Sequence, residues 1–144
     1  MVVALPETEE QVRRILETCH ALRVPVVARG AGTGLSGGAM PHRLGVTLSM
    51  ARFNQIKTVD PISRTAVVQC GVRNLAISEA AAPLGLYYAP DPSSQIACTI
   101  GGNVAENSGG LRGLKYGITR NYVMGLEVVL PEGEILFTGN KCVK

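Results

Sequence analysis

Apolar residues along the chain recur with period 3.6 in two places and with strand-like runs elsewhere. Val12, Ile15, Leu16, Cys19 and Leu22 stand at helical spacing. Thr8-Glu9-Glu10-Gln11 precedes them as a capping box, in which Thr8 caps the helix and Gln11 returns the bond. Val72 to Ala82 is a second helix, with Val72, Leu75, Ala76 and Ala80 on one face, and Pro83 and Gly85 end it. Short β-runs are read at Val24 to Ala28, with Pro25 marking a strand start or edge, and at Gly45 to Leu48. Ile56 to Val59 and Thr65 to Cys70 flank Asp60-Pro61 and predict a hairpin. Leu86-Tyr87-Tyr88 is read as a strand stub. Leu126 to Leu130 and Glu134 to Thr138 are read as strands around the turn Pro131-Glu132-Gly133. From Pro90 to Gly117 the pattern is lost. Glycines punctuate that stretch between Ser, Thr and Asn, which suits a ligand surface more than a core.

Composition narrows the class. The 144 residues allow one domain, and a chain of this size buries roughly 70% of its unfolded surface. Apolar residues at 46% and charged residues at 17% argue against disorder. With Trp 0 and Phe 2, the core is expected to be Val, Ile, Leu and Ala. No apolar run approaches the ~18 residues of a membrane span, and no secretory signal pattern is visible at the N-terminus. The net charge of +3 is scattered, with almost no aromatic interleaving, so nucleic acid is a poor fit. Cys19, Cys70, Cys98 and Cys142 show no metal-ligand or redox spacing and read as free thiols in a reducing compartment, hence a cytoplasmic protein. His20 reads as a helix-surface residue, His42 as a loop residue, and Glu127 as pointing to the far side of its strand, solvated or paired.

The strongest chemical signal is Arg29-Gly30-Ala31-Gly32-Thr33-Gly34-Leu35-Ser36-Gly37-Gly38. Successive backbone N–H groups without side chains in the way form a concave anion nest, and glycine tolerates positive φ. Thr33 and Ser36 add hydroxyls. Gly32 to Gly37 matches G-x-G-x-x-G literally, yet too little chain separates it from the strand at Gly45 for the helix that fingerprint must open. A phosphate loop of the G-x-x-x-x-G-K type also fails, since no Lys-Ser or Lys-Thr follows. Two further clusters accompany the loop: Pro90-Asp91-Pro92-Ser93-Ser94 with Thr99-Ile100-Gly101-Gly102-Asn103, and Asn107-Ser108-Gly109-Gly110 with Tyr116-Gly117. Three such clusters in one short chain favour one extended ligand.

Taken in order with Lys115-Tyr116-Gly117 and Gly125 to Leu130, these motifs resemble the FAD-binding domain of the vanillyl-alcohol oxidase and p-cresol methylhydroxylase superfamily. Within it they are most similar to the branch of glycolate oxidase D subunits and D-lactate dehydrogenases. The resemblance covers nearly the whole chain. It implies an α+β, p-cresol methylhydroxylase-type (PCMH-type) FAD-binding domain over 1–144: a small parallel βαβ-like subdomain plus a mixed sheet with flanking helices, clamping FAD. It implies that Gly30, Ala31, Gly32, Thr33, Gly34 and Ser36 hold the pyrophosphate. It places Pro90, Ser94, Thr99, Gly101, Gly102, Ser108 and Gly109 along the ribityl chain and isoalloxazine, Tyr116 and Gly117 on the same wall, and Val123 at the adenine end. Relatives oxidise D-2-hydroxy acids by hydride transfer to the flavin, and the cofactor supplies that chemistry.

Two departures from the family pattern stand out. Asn121 occupies a position where relatives often carry Asp. The substrate domain, which would bring the small 2-hydroxy acid, is missing, so the chain reads as a fragment, inactive alone, that works with further sequence or partner subunits, the latter a route to membrane association. Several relatives bind the flavin covalently through a His in the glycine-rich loop. Here Thr33 takes that place and the loop from Arg29 to Met40 has no His, Cys or Tyr, so FAD is expected to be held non-covalently. A non-catalytic nucleotide-binding accessory subunit is the second function class, and a visible spectrum separates the two.

Overall fold

The computed structural model describes residues 1–140, so Cys142 lies outside the described residues. The N-terminal part is a parallel three-stranded sheet with a helix. Strand β1 (Val2–Ala4), helix α1 (Glu9–Ala21), β2 (Val26–Arg29) and β3 (Val46–Ser49) follow one another. The strand order is β1-β3-β2, with Val46 between Val2 and Val26 and Leu48 between Ala4 and Ala28. The βαβ-like unit is therefore present, with β3 inserted at its centre. Thr47 and Leu48 of that central strand are buried. Three residues carry no readable period, so β1 was invisible as a pattern; it exists because β3 offers an edge.

Helix α1 starts as expected, with one change at its cap. The Gln11 N–H donates to Thr8 Oγ1 at 3.3 Å. The Gln11 side-chain oxygen, however, accepts from the Glu7 N–H at 2.7 Å rather than from Thr8. Glu9 and Glu10 lie in the first turn, where the helix dipole favours them. Val12 and Cys19 are buried, while Leu22 is 69% exposed. His20 is exposed as expected.

Strands β4 (Ile56–Asp60) and β5 (Thr65–Val68) form the expected antiparallel hairpin. The Asp60 carboxylate organises the turn by accepting from the N–H groups of Ile62 and Ser63 and from the Ser63 hydroxyl. Helix α2 (Asn74–Ala81) begins two residues later than its apolar pattern, because the backbone of 71–72 is engaged elsewhere. The Gly71 N–H donates to the Phe53 carbonyl, and the Val72 carbonyl accepts from Ile100. The stub at 86–88 is not a strand. The Tyr88 N–H donates to Ser78 Oγ, whose hydroxyl donates to the Tyr88 carbonyl, so a side chain replaces the ladder.

The stretch 90–117 departs most from its sequence reading. It contains helices α3 (Ile100–Glu106) and α4 (Gly113–Tyr116). Gly101-Gly102 lowers intrinsic helix propensity, yet tertiary contact demands it. A Cβ at Gly101 would press on Cys70, and the N–H groups of Ile100 and Gly101 donate to the Val72 and Cys70 carbonyls. Strands β6 (Gly125–Val129) and β7 (Ile135–Gly139) then form a second antiparallel hairpin, tied to α1 by Arg13 Nε donating to the Gly133 carbonyl at 2.8 Å. Among the described residues the second set of strands consists of these two separate hairpins. Glu127 is exposed, and its contact with Glu9 pushes its carboxyl pKa up.

The core is small and partly polar. Buried apolar residues include Val12, Leu48, Val72, Ile77, Ala89 and Cys98, whereas Asn74 and Thr119 are among the most buried side chains. No described helix is long and apolar enough to cross a membrane.

Candidate functional site

Strands β2 and β3 are parallel neighbours, and parallel neighbours need a crossover. Here the crossover is the glycine-rich segment itself, residues 30–45, which leaves the carboxyl end of β2. Ligands of parallel sheets bind at that end. The literal G-x-G-x-x-G match indeed opens no helix. Gly32 and Gly37 have φ of +73° and +81°, values that glycine adopts without cost. Among the described residues, the N–H groups of residues 31–38 donate to no protein acceptor. Arg29 folds back beneath this strip. Its guanidinium lies where a Cβ of Gly32 would be, and its Nε is buried without a partner. A cation under a row of free donors is an anion seat. The sequence reading quoted Arg29 without assigning it this place; an Arg at the strand end directly before the nest was the signal.

The loop faces the segments 91–95 and 106–111 across an open cleft of about 680 Å³. Thr33, Gly34 and Ser36 line one side, and Ser108 and Gly109 the other. Leu35 and Leu111 are almost fully exposed on its walls and supply apolar surface. The far wall is held by Asp91, whose carboxylate accepts from the Arg112 N–H at 3.0 Å and pairs with Arg112 Nε at 3.6 Å. Glu106 stands opposite Gly38, 3.1 Å from where a Cβ would be, so the anion seat belongs to the Arg29 end of the loop. Thr99 Oγ1 is buried, has no partner, and touches Gly30. A Cβ at Gly102 would lie 3.5 Å from that oxygen, and nothing stands within 4 Å of one at Gly34. Free donors, a half-buried cation, an unpartnered hydroxyl and bare glycine faces fit a phosphate-bearing flat ligand such as FAD.

Behind the far wall runs a buried polar network. Asn74 Nδ2 donates to the Pro90 carbonyl at 3.3 Å and to Asn103 Oδ1 at 2.9 Å. Asn103 Nδ2 faces Cys98 Sγ at 3.3 Å and Ser108 Oγ at 3.2 Å. Thr119 Oγ1 donates to the Ser108 carbonyl at 2.7 Å. The sequence reading gave Asn74 and Thr119 no role, because a single amide or hydroxyl within an apolar pattern announces nothing until its partners are known.

The sequence-derived site residues separate into three groups. Thr33, Gly34, Ser36, Ser108 and Gly109 line the cleft, Gly30, Ala31 and Gly32 precede them on the same loop, and Thr99, with Gly102 beside its hydroxyl, lies against Gly30. Pro90 and Gly101 are not on the cleft lining: Pro90 is fully buried with its carbonyl taken by Asn74, and Gly101 packs on Cys70. Ser94 uses its carbonyl to accept from the Ala97 and Cys98 N–H groups. Tyr116, Gly117 and Val123 are not on the cleft lining. The Tyr116 ring packs edge-on against Tyr87 with centroids 6.5 Å apart, and Lys115 lies over its face. Gly117 packs on Asn121, and Val123 is half-buried ahead of β6. Asn121 Oδ1 accepts from the Ile118 N–H at 2.9 Å, a bond that needs only an oxygen, so an Asp would serve equally.

Comparison with known proteins agrees with this geometry. A family profile described as FAD binding domain matches residues 1–139. Glycolate oxidase subunit GlcD of Escherichia coli (strain K12) is 61% identical over 140 residues, which is 97% of this chain and 28% of the relative. D-lactate dehydrogenase of Archaeoglobus fulgidus is 43% identical over 143 residues, covering 99% of this chain and 32% of the relative. The chain thus spans about a third or less of the relatives it matches. Among solved structures, alkyldihydroxyacetonephosphate synthase superposes with a TM-score of 0.82 at 27% identity, over 96% of this chain and 28% of that one. The fold is that of the vanillyl-alcohol oxidase and p-cresol methylhydroxylase superfamily. With a glycine-rich crossover in its parallel sheet and residues 1–139 matched, the chain belongs to the FAD binding domain family.

Proposed function

We propose that the chain is the FAD-holding part of an oxidoreductase that oxidises a 2-hydroxy acid, glycolate or D-lactate. The observation that carries this reading is the strip of free N–H donors over Arg29, facing the unpartnered Thr99 hydroxyl, in a chain with such relatives. The flavin, when bound, supplies the hydride acceptor. The N–H groups of residues 31–36 and Arg29 neutralise the pyrophosphate, and the hydroxyls of Thr33 and Ser36 add donors. Thr99 gives its hydroxyl to the part of the cofactor that crosses the base of the cleft. Ser108 and Gly109 border the flat end, and Leu35 and Leu111 shield it from water. The substrate and its acid/base come from sequence that the relatives carry beyond the matched region, with partner subunits belonging to that larger assembly. The free Cys19, Cys70 and Cys98 suit a cytoplasmic setting. In a dye-reduction assay, a protein carrying this domain at the relatives' full length turns over glycolate or D-lactate, while the 144-residue chain does not. A long protein whose flavin neither acid reduces overturns the function, and turnover by the short chain overturns the division of labour.

The same reading makes the cofactor non-covalent. Among the described residues, the loop hydroxyls of Thr33 and Ser36 make no hydrogen bond to a His or carboxylate that would activate them. Acid precipitation of FAD-loaded protein should leave the yellow colour in the supernatant. Colour retained in the washed pellet refutes this.

A further inference from the structure

The geometry points to a one-way hydrogen-bond relay, Asn74 to Asn103 to Ser108, that fixes the Ser108 hydroxyl as a donor into the cleft. The direction is set at its far end. The Pro90 carbonyl can only accept, so Asn74 must turn its Nδ2 toward it. The second hydrogen of that nitrogen goes to Asn103 Oδ1 at 2.9 Å. Asn103 is thereby oriented with Nδ2 toward Ser108 Oγ at 3.2 Å. An amide nitrogen has no lone pair to offer, so Ser108 Oγ accepts. The rest of Ser108 is also committed. Its N–H donates to the Asn103 carbonyl at 2.9 Å, and its own carbonyl accepts from the Thr119 N–H and Oγ1.

Only the Ser108 hydroxyl proton has no protein acceptor among the described residues, and Ser108 is on the cleft wall. Asn74 and Asn103 are 1% and 2% exposed, so no solvent competes to turn either amide round. The wall therefore prefers a ligand that presents an acceptor there, such as a carbonyl or phosphate oxygen, over one that presents a donor. Asn103 is a positioning residue, acting through Ser108. The identity of the acceptor as part of FAD rests on the function proposed above.

FAD titrations of the native protein, Ser108→Ala, Asn103→Asp and the double variant test the relay, with apo-protein melting curves to verify folding. Ser108→Ala should weaken FAD binding about tenfold, the worth of one hydrogen bond, and Ser108→Thr, which keeps the hydroxyl, should rescue it. Asn103→Asp presents an acceptor to Ser108, draws its proton inward, and should cost about as much with Ser108 in place. The double variant should then lose no more than either single one, since both remove the same donor. Losses that simply multiply, or an unchanged dissociation constant for Ser108→Ala, overturn the relay. Where Asn103→Asp does not fold, Ser108→Ala against Ser108→Thr decides alone. A native protein that binds no FAD sinks the functional reading itself, which the variants do not touch.

Discussion

Gly32→Asp should weaken FAD binding by at least about tenfold, or ~1.4 kcal/mol. Two effects act together. The backbone at Gly32 has φ +73°, a conformation that a non-glycine residue holds at a cost of about 1 kcal/mol or more. The new carboxylate also emerges directly onto the Arg29 guanidinium. It would neutralise the cation beneath the nest and set a negative charge where the pyrophosphate should sit. Gly32→Ala separates the two, since it carries the strain without the charge and should fall between native and Asp. Fluorescence titration with FAD measures all three. Equal affinities for native protein and Gly32→Asp would place the pyrophosphate elsewhere.

Gly110→Ala should lower stability by about 2–3 kcal/mol, the usual cost of overfilling a close contact. A Cβ there would collide with the Asp91 backbone carbonyl and carboxylate, and backbone cannot swing aside as a side-chain tip can. The collision separates 108–112 from 90–92, the two segments that build the far wall. Gly34→Ala is the contrast: nothing lies within 4 Å of its Cβ, so urea unfolding should show no loss. A Gly110→Ala midpoint equal to that of Gly34→Ala would mean that the wall is not packed as described.

Much of the fold was legible because local chemistry and final structure agreed. Thr8 and the Val12 to Cys19 spacing marked α1, and Asp60-Pro61 marked the first hairpin. The glycine-rich loop was legible as well: its literal G-x-G-x-x-G match was read as opening no helix, and it opens none. The misread regions share one cause. Residues 100–106 are helical although Gly101-Gly102 speaks against it, because Cys70 and Val72 supply partners from distant sequence. Residues 86–88 look like a strand, but no neighbouring strand pairs with them, and Ser78 holds them instead.

The sequence by itself determined the class of domain and the cofactor, since glycine spacing and motif order along the chain are local properties. Tertiary structure alone decided that Arg29 lies under the loop, that Thr99 reaches Gly30, and that Asn74 speaks to Ser108 through Asn103. Thr99 with Gly30 and Asn74 with Asn103 are far apart in the chain, and Arg29, though next to the loop, is turned onto it only once the loop has taken its final path. Their energy comes from burial and from hydrogen bonds made without water, and neither exists until the chain has closed on itself.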